Sequence, residues 1–328
     1  MYLVTYVVAT PLGPFERIGA KHGDRFVDLH AAYAWYLAEQ GHTQPYRVAE
    51  ALIPPDMIGF LDAGPRAMDA ARETLAAVTG LPAMPPGLRG EALSYDPAKV
   101  RLLAPVPRPR SLRDFLAFEA HTRTGYARRN QPFPEDWFQL PVYYKGNPRT
   151  VVAPDTTVRW PRFTQKFDYE LEMAAVIGRE GKDIPEGEAN GYIAGYCILN
   201  DFSARDIQQR EMALRLGPSK GKDFATGLGP YLVTPDELPD VRDLRMVARV
   251  NGEVWSDGNA GTSHWTFEQM IAHAANEETL YPGEIIGSGT VGGGCSYEHD
   301  RWLKPGDRIE LEITGLGILR HTVGHPDP

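Results

Sequence analysis

The chain contains few cysteines and no long apolar stretch, and these absences exclude two classes of protein. Its 328 residues include two cysteines, Cys197 and Cys295, which do not form a C-x-x-C pair. This count argues against a disulfide framework and against a thiolate metal site. The N-terminal sequence MYLVTYVVATPLG has neither a basic region nor a long apolar run. We therefore expect no signal peptide, no membrane-spanning helix and a cytoplasmic protein.

Basic stretches are also absent. The formal net charge is −9 at pH 7. Because an acidic chain repels phosphate backbones, we expect no nucleic-acid partner. No G-x-G-x-x-G or G-x-x-x-x-G-K-[ST] motif opens a helix after a strand, so a nucleotide-binding fold has no support. An anionic small molecule is still compatible with this charge, since a bound divalent cation reverses the local field.

What is present is typical of a globular protein, with 42% hydrophobic and 23% charged residues. The first 100 residues mix a strand, LVTYVVA, with helices at Leu29 to Leu37 and in AMDAARETLAAVTG, the second ended by Gly80. Residues 81–111 are dense in proline and glycine, which marks a domain boundary. We predict a small N-terminal α/β domain at residues 1–104 and a second domain at residues 105–328.

The second domain is dominated by short β-rich runs broken by turns. We predict strands in TTVRW, YELEMAAVIG, YIAGYCILND, RMVARVNGEVW and DRIELEITGLGILRHTV. The N-G pair in VNGE predicts a tight hairpin turn. Predicted helices span residues 112–127, residues 204–214 and the segment TFEQMIAHAANE. This pattern predicts an α+β fold.

Two glutamates at the start of an apolar strand are the most informative feature. Glu170 and Glu172 are two residues apart, so they point to the same face of a strand at a backbone distance of roughly 7 Å. Two buried acids repel each other, and a hard divalent cation such as Mg²⁺, Ca²⁺ or Mn²⁺ would remove that conflict. The alternative is a solvated strand face, as expected for Glu310 and Glu312 in IELEI.

Other polar residues follow the predicted strands and helices. Asp201 ends the apolar strand that begins at Tyr192, where it can be a third metal ligand or a helix cap, with Ser203 as another possible cap. Asp114 and His121 are two turns apart on the predicted helix 112–127, and histidine is the usual general base at neutral pH. Two glycine-rich segments, residues 217–226 and 288–295, can approach an anionic ligand or form plain surface turns.

Taken together, these segments resemble the fumarylacetoacetate hydrolase family over about residues 105–328. The ordered motifs that carry the resemblance are SLRDFLAFEAH, LPVYYKGNP, DYELEMAAVIG, NDFSARDIQ, GPSKGKDFATGLGP and SGTVGGG. The resemblance implies a metal site of Glu170, Glu172 and Asp201, with Asp114 as a further ligand. It implies His121 as the catalytic histidine, on a lid helix 112–127. It also implies substrate contacts from four residues, Tyr144, Gln208, Lys222 and Thr290, with Lys222 adding positive charge during catalysis.

Two departures concern the partner of the histidine. Smaller relatives have a glutamate three residues after the lid histidine, where this chain has Thr124. The fumarylacetoacetate hydrolases instead orient their histidine with a glutamate beyond the glycine-rich segment 288–295, here called the SGT loop. Glu298 is the distant choice for this role and Glu119 is the local one. The tyrosine expected two residues after Asp114 is replaced by Leu116.

The resemblance also implies a fold and an activity. The expected fold is a mixed β-roll or β-sandwich catalytic domain that forms a homodimer, behind the smaller N-terminal domain. The expected activity is Mg²⁺-type metal-dependent hydrolysis of a carbon–carbon bond in an acylpyruvate or 1,3-diketo acid, as in aromatic catabolism. The alternative is an isomerase, decarboxylase or hydratase that acts on a 2-oxo acid through a metal-bound enolate. A ligand sensor without turnover is a third hypothesis.

Overall fold

A computed structural model describes residues 1–238 and 240–326 of the chain. Its α-helices are α1 (Leu29–Glu39), α2 (Pro45–Leu52), α3 (Met57–Asp62), α4 (Pro65–Thr79), α5 (Glu119–Arg128), α6 (Arg205–Ala213), α7 (Phe267–Ala275) and α8 (Ser296–His299). The predicted helices α1, α4 and α7 are confirmed. Asp28 caps α1 by accepting from the Ala31 amide at 2.8 Å, and Thr266 begins α7 with a capping box.

The strands form three sheets, and the α+β class is confirmed. In chain order they are β1 (Tyr2–Thr10), β2 (Gly13–His22), β3 (Arg25–Asp28), β4 (Ser94–Tyr95), β5 (Arg101–Leu102), β6 (Leu112–Phe115), β7 (Tyr143–Gly146), β8 (Val151–Val152), β9 (Thr156–Val158), β10 (Phe167–Asp168), β11 (Leu171–Ile177), β12 (Ile193–Asp201), β13 (Ser203–Ala204), β14 (Thr226–Val233), β15 (Arg245–Val250), β16 (Glu253–Asn259), β17 (Ile285–Gly287), β18 (Arg308–Ile313) and β19 (Gly317–Val323). The predicted strands of the second region are confirmed. The N-G turn is confirmed too, since Asn251 and Gly252 have φ values of 53° and 82° between β15 and β16.

The largest sheet has twelve strands, with a main path ordered β4-β3-β2-β1-β14-β12-β11-β17-β6-β7. Its central strands β11 and β12 are buried along their whole length because both faces are covered. A second sheet has five strands, ordered β16-β15-β18-β19-β9, and a third pairs β10 with β13. The central strands carry the acidic motifs to one end of the large sheet.

The N-terminal region adds strands to this same sheet. Tyr2 and Leu3 of β1 pair with Val233 and Leu232 of β14. One hydrophobic core includes residues from both sides of the predicted boundary, such as Leu3 and Val176. The division at residues 104 and 105 therefore does not separate two sheets, and as a domain boundary it stays a prediction.

The predicted helix 112–127 is wrong in its first half. Leu112–Phe115 forms β6, which pairs in parallel with β17 and antiparallel with β7. All four residues of β6 are buried. Because a short apolar run suits a buried strand as well as a helix, periodicity alone could not separate the two. Asp114 thus lies on a strand and His121 on helix α5, so they do not share a helix face.

The start of α6 also differs in detail from the prediction. Its N-cap position is held by Ala204, without a side-chain cap. Ser203 instead donates from its hydroxyl to the backbone oxygen of Asp201 at 3.0 Å. Ser203 is therefore not the cap of α6. In residues 1–238 and 240–326, no helix has the length and apolar character needed to span a bilayer.

Candidate metal centre and active site

A cavity of about 270 Å³ opens where β6, β11 and α6 meet. Most of the residues selected from the sequence line it: Asp114, His121, Tyr144, Glu170, Glu172, Gln208, Lys222 and Thr290. The cavity also includes apolar side chains, among them Phe115, Val142 and Met212. Residues from five separate parts of the chain are thus brought to one concave site.

Three carboxylates converge beside this cavity, and two of them, Asp114 and Glu172, line it. Asp114, Glu172 and Asp201 each offer an oxygen, and these oxygens lie within 4.8 Å of one another. Asp114 lies on β6, Glu172 on β11 and Asp201 at the end of β12. All three side chains are buried. Strands of one sheet therefore carry the three acids to the same point, with β11 and β12 adjacent and β6 separated from β11 by β17.

The chemistry of these donors fits a hard divalent cation. Glu172 Oε2 and Asp201 Oδ1 are buried and accept no hydrogen bond. Burial, followed by the charge of Asp201, raises the pKa of Asp114 well above its ordinary value. Burial and the charge of Asp114 likewise raise the pKa of Glu172. Buried acids with unused oxygen lone pairs are the ligands that Mg²⁺, Ca²⁺ and Mn²⁺ prefer.

Glu170 lies beside this group but faces two cations of the chain. Its Oε1 accepts from Arg205 at 2.6 Å, and its Oε2 accepts from the Lys222 ammonium. Burial opposes ionisation of Glu170, yet Arg205 and Lys222 outweigh it and lower the pKa of Glu170. Glu170 therefore lies next to the three converging carboxylates, and its place among the metal ligands stays a prediction.

Lys222 connects the acidic groups at the cavity wall. Its ammonium donates to both Glu170 and Asp201. Burial disfavours the charged form, but Asp201 and Glu170 outweigh this effect and raise the pKa of Lys222. A permanently charged ammonium is therefore available beside the cavity.

His121 projects from α5 into the cavity and is bonded to a glutamate from a distant segment. Its Nδ1 lies 2.8 Å from Glu298 Oε1, on α8. Its Nε2 lies 3.8 Å from Glu170 Oε1. Burial opposes ionisation of Glu298, but the bond with His121 outweighs it and lowers the pKa of Glu298. With Glu298 ionised, Nδ1 is the donor and Nε2 presents its lone pair to the cavity.

Glu119, the local alternative partner of His121, pairs with an arginine of its own helix instead. It sits one helical turn from Arg123 and accepts from that guanidinium at 2.6 Å, on the exposed side of α5. Residues two apart on a helix face different directions, so Glu119 and His121 cannot meet without unwinding α5.

The remaining selected residues hold the carboxylates in place. The Tyr144 hydroxyl donates to Asp201 Oδ2 at 2.9 Å, and Thr290 Oγ1 lies 3.1 Å from Glu172 Oε1. Gln208 accepts through its Oε1 from Arg205 at 3.0 Å. These contacts keep polar atoms at the cavity surface, where a ligand can reach them.

Glycines let the SGT loop approach the site closely. Gly289 has a φ of 79°, and a Cβ there would lie 2.3 Å from the Phe115 backbone oxygen. Its amide donates to Asp114 Oδ1 at 3.2 Å. The loop is therefore packed against β6 and supports one of the three converging carboxylates, so it is not a plain surface turn.

The sequence reasoning missed the residues that orient the site. Asp168 is fully buried and accepts from Arg205 Nε at 2.7 Å. It also accepts from the amides of Ser296 and Tyr297 at 2.8 and 3.1 Å, at the start of α8. Asp168 thus joins Arg205, which holds Glu170, to the helix that carries Glu298. Its position two residues before Glu170 was the only signal, and it did not stand out from the motif.

Arg129 was also missed, because an arginine near the end of a helix carries no motif. It lines the cavity, and its guanidinium stacks on Tyr126 at 4.8 Å from the ring centroid. It also donates to Gln131 at 3.2 Å. Within residues 1–238 and 240–326 no carboxylate is paired with it, so this cation is available to a ligand.

Comparison with known proteins agrees with the geometry. Residues 111–324 match the family model of the fumarylacetoacetate (FAA) hydrolase C-terminal domain. The chain is 34% identical over 273 residues to human mitochondrial oxaloacetate tautomerase FAHD2A, which covers 83% of this chain and 80% of the relative.

Solved structures agree over the whole chain. A crystal structure from Mycobacterium smegmatis is 28% identical with a TM-score of 0.72, covering 99% of this chain and 100% of that one. The fumarylacetoacetate hydrolase from Exiguobacterium antarcticum is 23% identical with a TM-score of 0.68, covering 98% and 99%. At 23% identity, the similarity to the Exiguobacterium antarcticum structure supports the fold, including the strands of the N-terminal region.

Proposed function

This chain belongs to the fumarylacetoacetate hydrolase family, and from that premise we propose that it hydrolyses a carbon–carbon bond in an acylpyruvate or related 1,3-diketo acid. The observation that carries the proposal is the His121–Glu298 bond of 2.8 Å beside the converging carboxylates. A histidine oriented by a carboxylate at a cavity wall is the arrangement needed to activate water.

Asp114, Glu172 and Asp201 would hold a divalent cation, together with the adjacent Glu170. Mg²⁺ suits this all-oxygen donor set, and Ca²⁺ or Mn²⁺ share the same preference. When bound, the cation supplies Lewis-acid polarisation of a carbonyl oxygen. Tyr144 and Thr290 orient Asp201 and Glu172 for this role.

His121 removes a proton from water at its Nε2, while Glu298 stabilises the resulting imidazolium through Nδ1. The hydroxide adds to the carbonyl carbon distal to the 2-oxo acid. The bond between that carbon and the methylene carbon then breaks, and its electron pair stays with the methylene carbon. Protonation of this carbon completes the balance, in which one acylpyruvate and one water give a carboxylic acid and pyruvate.

Lys222 and Arg129 are the two cations that would meet the anionic substrate. Lys222 is buried beside the carboxylates, where its charge stabilises the negative charge that develops as the bond breaks. Arg129 lies on the lid side of the cavity and can pair with a carboxylate on the substrate tail. Gln208, held by Arg205, would add a hydrogen bond to a substrate oxygen.

A second reaction is supported by the relative at 34% identity, which is named an oxaloacetate tautomerase. A keto–enol shift in a 2-oxo diacid moves one proton from carbon to oxygen and consumes no water. The same His121–Glu298 pair can carry that proton. Isomerase, decarboxylase and hydratase activities on a 2-oxo acid remain alternatives, since each involves an enolate of the acid.

The experiment measures acylpyruvate cleavage and oxaloacetate tautomerisation with Mg²⁺ and with EDTA. We expect activity in Mg²⁺, its loss in EDTA, and a decrease of about 10²–10⁴-fold in His121→Ala and Glu298→Gln. Glu119→Gln is the matched control, since Glu119 pairs with Arg123 outside the cavity and should keep wild-type turnover. NMR of the products separates the reactions, because cleavage yields two acids and tautomerisation conserves mass. Full activity in the metal-free enzyme would refute the proposal.

The family resemblance also supports a homodimer, and we propose a cytoplasmic location for this activity on small 2-oxo acids. Light scattering of the purified protein should give twice the 36.4 kDa mass of the chain. A single-chain mass at micromolar concentration would contradict the dimer without affecting the proposed reaction.

A further inference from the structure

The wall of the cavity changes from polar to apolar with distance from the carboxylates. Three lining residues near the carboxylates are polar: Asp114 on β6, Tyr144 on β7 and Gln208 on α6. The next lining residue on the same face of each segment is apolar, two positions away on the strand segments and four positions away on α6. These apolar residues are Leu116, Val142 and Met212.

Backbone pairing aligns two of these segments. Asp114 and Tyr144 are register partners between β6 and β7, and the Leu116 amide donates to the Val142 backbone oxygen at 3.2 Å. Two residues of a strand cover roughly 6–7 Å and four residues of a helix about 6 Å, so the three apolar residues lie at a similar distance beyond the polar ones. Exposure rises in the same direction, from 5% at Asp114 to 40% at Val142 and 41% at Met212.

The lid helix leaves room beside this apolar layer. His121, Gly125 and Arg129 line the cavity from α5 and its C-cap at spacings of four residues, so they share one face. Gly125 has no side chain, and the nearest side-chain atom to a Cβ added there would be Arg129 Nη1, at 3.4 Å. Arg129 is about 12 Å from His121 along the helix axis, which is further out than the apolar layer. A substrate tail that runs from His121 towards Arg129 would therefore cross the apolar residues.

We propose that the substrate is an acylpyruvate whose acyl group is an apolar chain or ring of several carbons, and that Leu116, Val142 and Met212 select it. This selectivity rests on the proposed function, since it concerns the acyl group of that substrate class. Apolar side chains of a cavity gain free energy when an apolar ligand group removes them from water. A hydroxylated acyl group would instead bring its hydroxyls against side chains that offer no hydrogen bond. A carboxylate at the far end of the tail would still reach Arg129, because Arg129 lies beyond the apolar layer.

Binding of N-alkyl oxamates tests the tail without turnover. Oxamate carries the adjacent carboxylate and carbonyl oxygens of a 2-oxo acid but has no carbon–carbon bond of the 1,3-diketo type to cleave. Calorimetry in saturating Mg²⁺ compares N-methyl, N-butyl and N-hexyl oxamate. We expect Kd to decrease roughly two- to fourfold for each methylene that enters the apolar layer, as for methylene groups that leave water. A hydroxylated tail of the same length should gain little. Equal Kd values across the series, no binding of N-hexyl oxamate, or an equal gain for the hydroxylated tail would each overturn the proposal.

Two variants locate the effect in the protein. Met212→Gln and Val142→Thr nearly keep the size of side chains that are 41% and 40% exposed, so the fold should be retained. Each should lower the ratio of N-hexyl to N-methyl affinity at least about threefold, because a polar group replaces apolar surface. Val254→Thr is the matched control, since Val254 is 49% exposed on β16 of the five-stranded sheet. An unchanged ratio in both cavity variants overturns the proposal.

Acylpyruvate cleavage measured on the same proteins separates this proposal from the proposed function. If cleavage is absent but affinity still increases with tail length in wild type and not in the variants, the reaction is refuted and the apolar tail site stands. If cleavage is present but neither affinity nor kcat/KM depends on tail length, the reaction stands and the apolar selectivity is refuted.

Discussion

The tripeptide Glu-Leu-Glu occurs twice in this chain, once at residues 170–172 and once at residues 310–312. In both places the central leucine is fully buried and the two glutamates point to the opposite side. Glu310 and Glu312 lie on β18 with side chains 21% and 41% exposed. Glu170 and Glu172, in contrast, are 4% and 0% exposed.

The difference lies in what covers the glutamate side of each strand. At β18 the glutamates pair with exposed or half-buried arginines: Glu310 with Arg320 at 2.8 Å and with Arg308 at 3.6 Å, and Glu312 with Arg249 at 2.6 Å. At the start of β11 the glutamates share a cavity with Asp114 from β6, Thr290 from the SGT loop and Lys222, and these residues help to enclose the acids. The local pattern therefore sets the direction of the side chains, and the segments packed on top decide whether they become a metal site.

The largest expected effect comes from neutralising one glutamate of each pair. We predict that Glu172→Gln abolishes Mg²⁺ binding by calorimetry and lowers kcat/KM at least about 100-fold, because it removes a charged oxygen ligand. Glu312→Gln, the matched substitution on the exposed side of β18, should leave Mg²⁺ binding and kcat/KM unchanged. Equal losses in the two variants would show that burial and the converging acids are not what distinguishes the pairs.

The same substitution should not lower the stability of the metal-free protein, although it removes activity. Without metal, Asp114 and Glu172 repel each other in a buried site, which raises the pKa of both. Glu172→Gln removes that repulsion, so in EDTA it should be at least as stable as wild type to urea. A less stable metal-free variant would contradict the account of electrostatic conflict at this site.

The second effect concerns the buried ion pair that supports Glu170. We predict that Asp168→Asn lowers kcat by roughly 10–100-fold, as typical for residues that orient metal or catalytic ligands, with KM little changed. The loss arises because Asp168 positions both Arg205 and the start of α8. Asp257→Asn is the control, since Asp257 pairs with Arg245 through two bonds on the surface. A fall in melting temperature with unchanged kcat would assign Asp168 a structural role alone.

The comparison also explains which parts of the fold were predictable. Strands β11, β12, β15 and β18 and helices α1, α4 and α7 have clear apolar periods or caps, and local sequence suffices for them. The segment 112–127 failed because β6 is a strand only through pairing with β17 and β7, which are distant in sequence. The short helices α2 and α3 were missed for lack of a long period.

For the site, the motifs selected residues that the fold brings to one cavity. The resemblance selected Glu298 and Glu119 as alternatives, and only the packing of α8 against α5 places Glu298 at His121.

The third prediction concerns a buried histidine of the five-stranded sheet. His321 on β19 is paired with Ile309 on β18, next to the second Glu-Leu-Glu, but its ring is buried. Burial lowers the pKa of His321 to about 3, which the Ala153 backbone offsets only in part. As pH falls below about 6.5 the unfolded chain takes up this proton and the folded chain does not, so stability decreases.

We therefore predict that wild type loses about 2 kcal/mol more than His321→Gln between pH 7 and pH 5, as expected for one such group. Urea unfolding at the two pH values measures the difference. His22→Gln is the control, because His22 is exposed on β2 and should leave the pH dependence as in wild type. Equal pH dependence in wild type and His321→Gln would show that the buried ring titrates normally.

The smallest expected effect is the coupling energy of an exposed ion pair at the second Glu-Leu-Glu. Arg249 Nη1 and Glu312 Oε2 are 2.6 Å apart, with side chains 29% and 41% exposed. Water screens such a pair, so a double-mutant cycle of Glu312→Ala and Arg249→Ala should give a coupling energy of about 0.2–1 kcal/mol. High salt should reduce it further, since charges of this exposure are screened by ions. A coupling energy of several kcal/mol that high salt does not reduce would mean that this side of β18 is shielded from water. Exposure would then not explain the difference between the two Glu-Leu-Glu tripeptides.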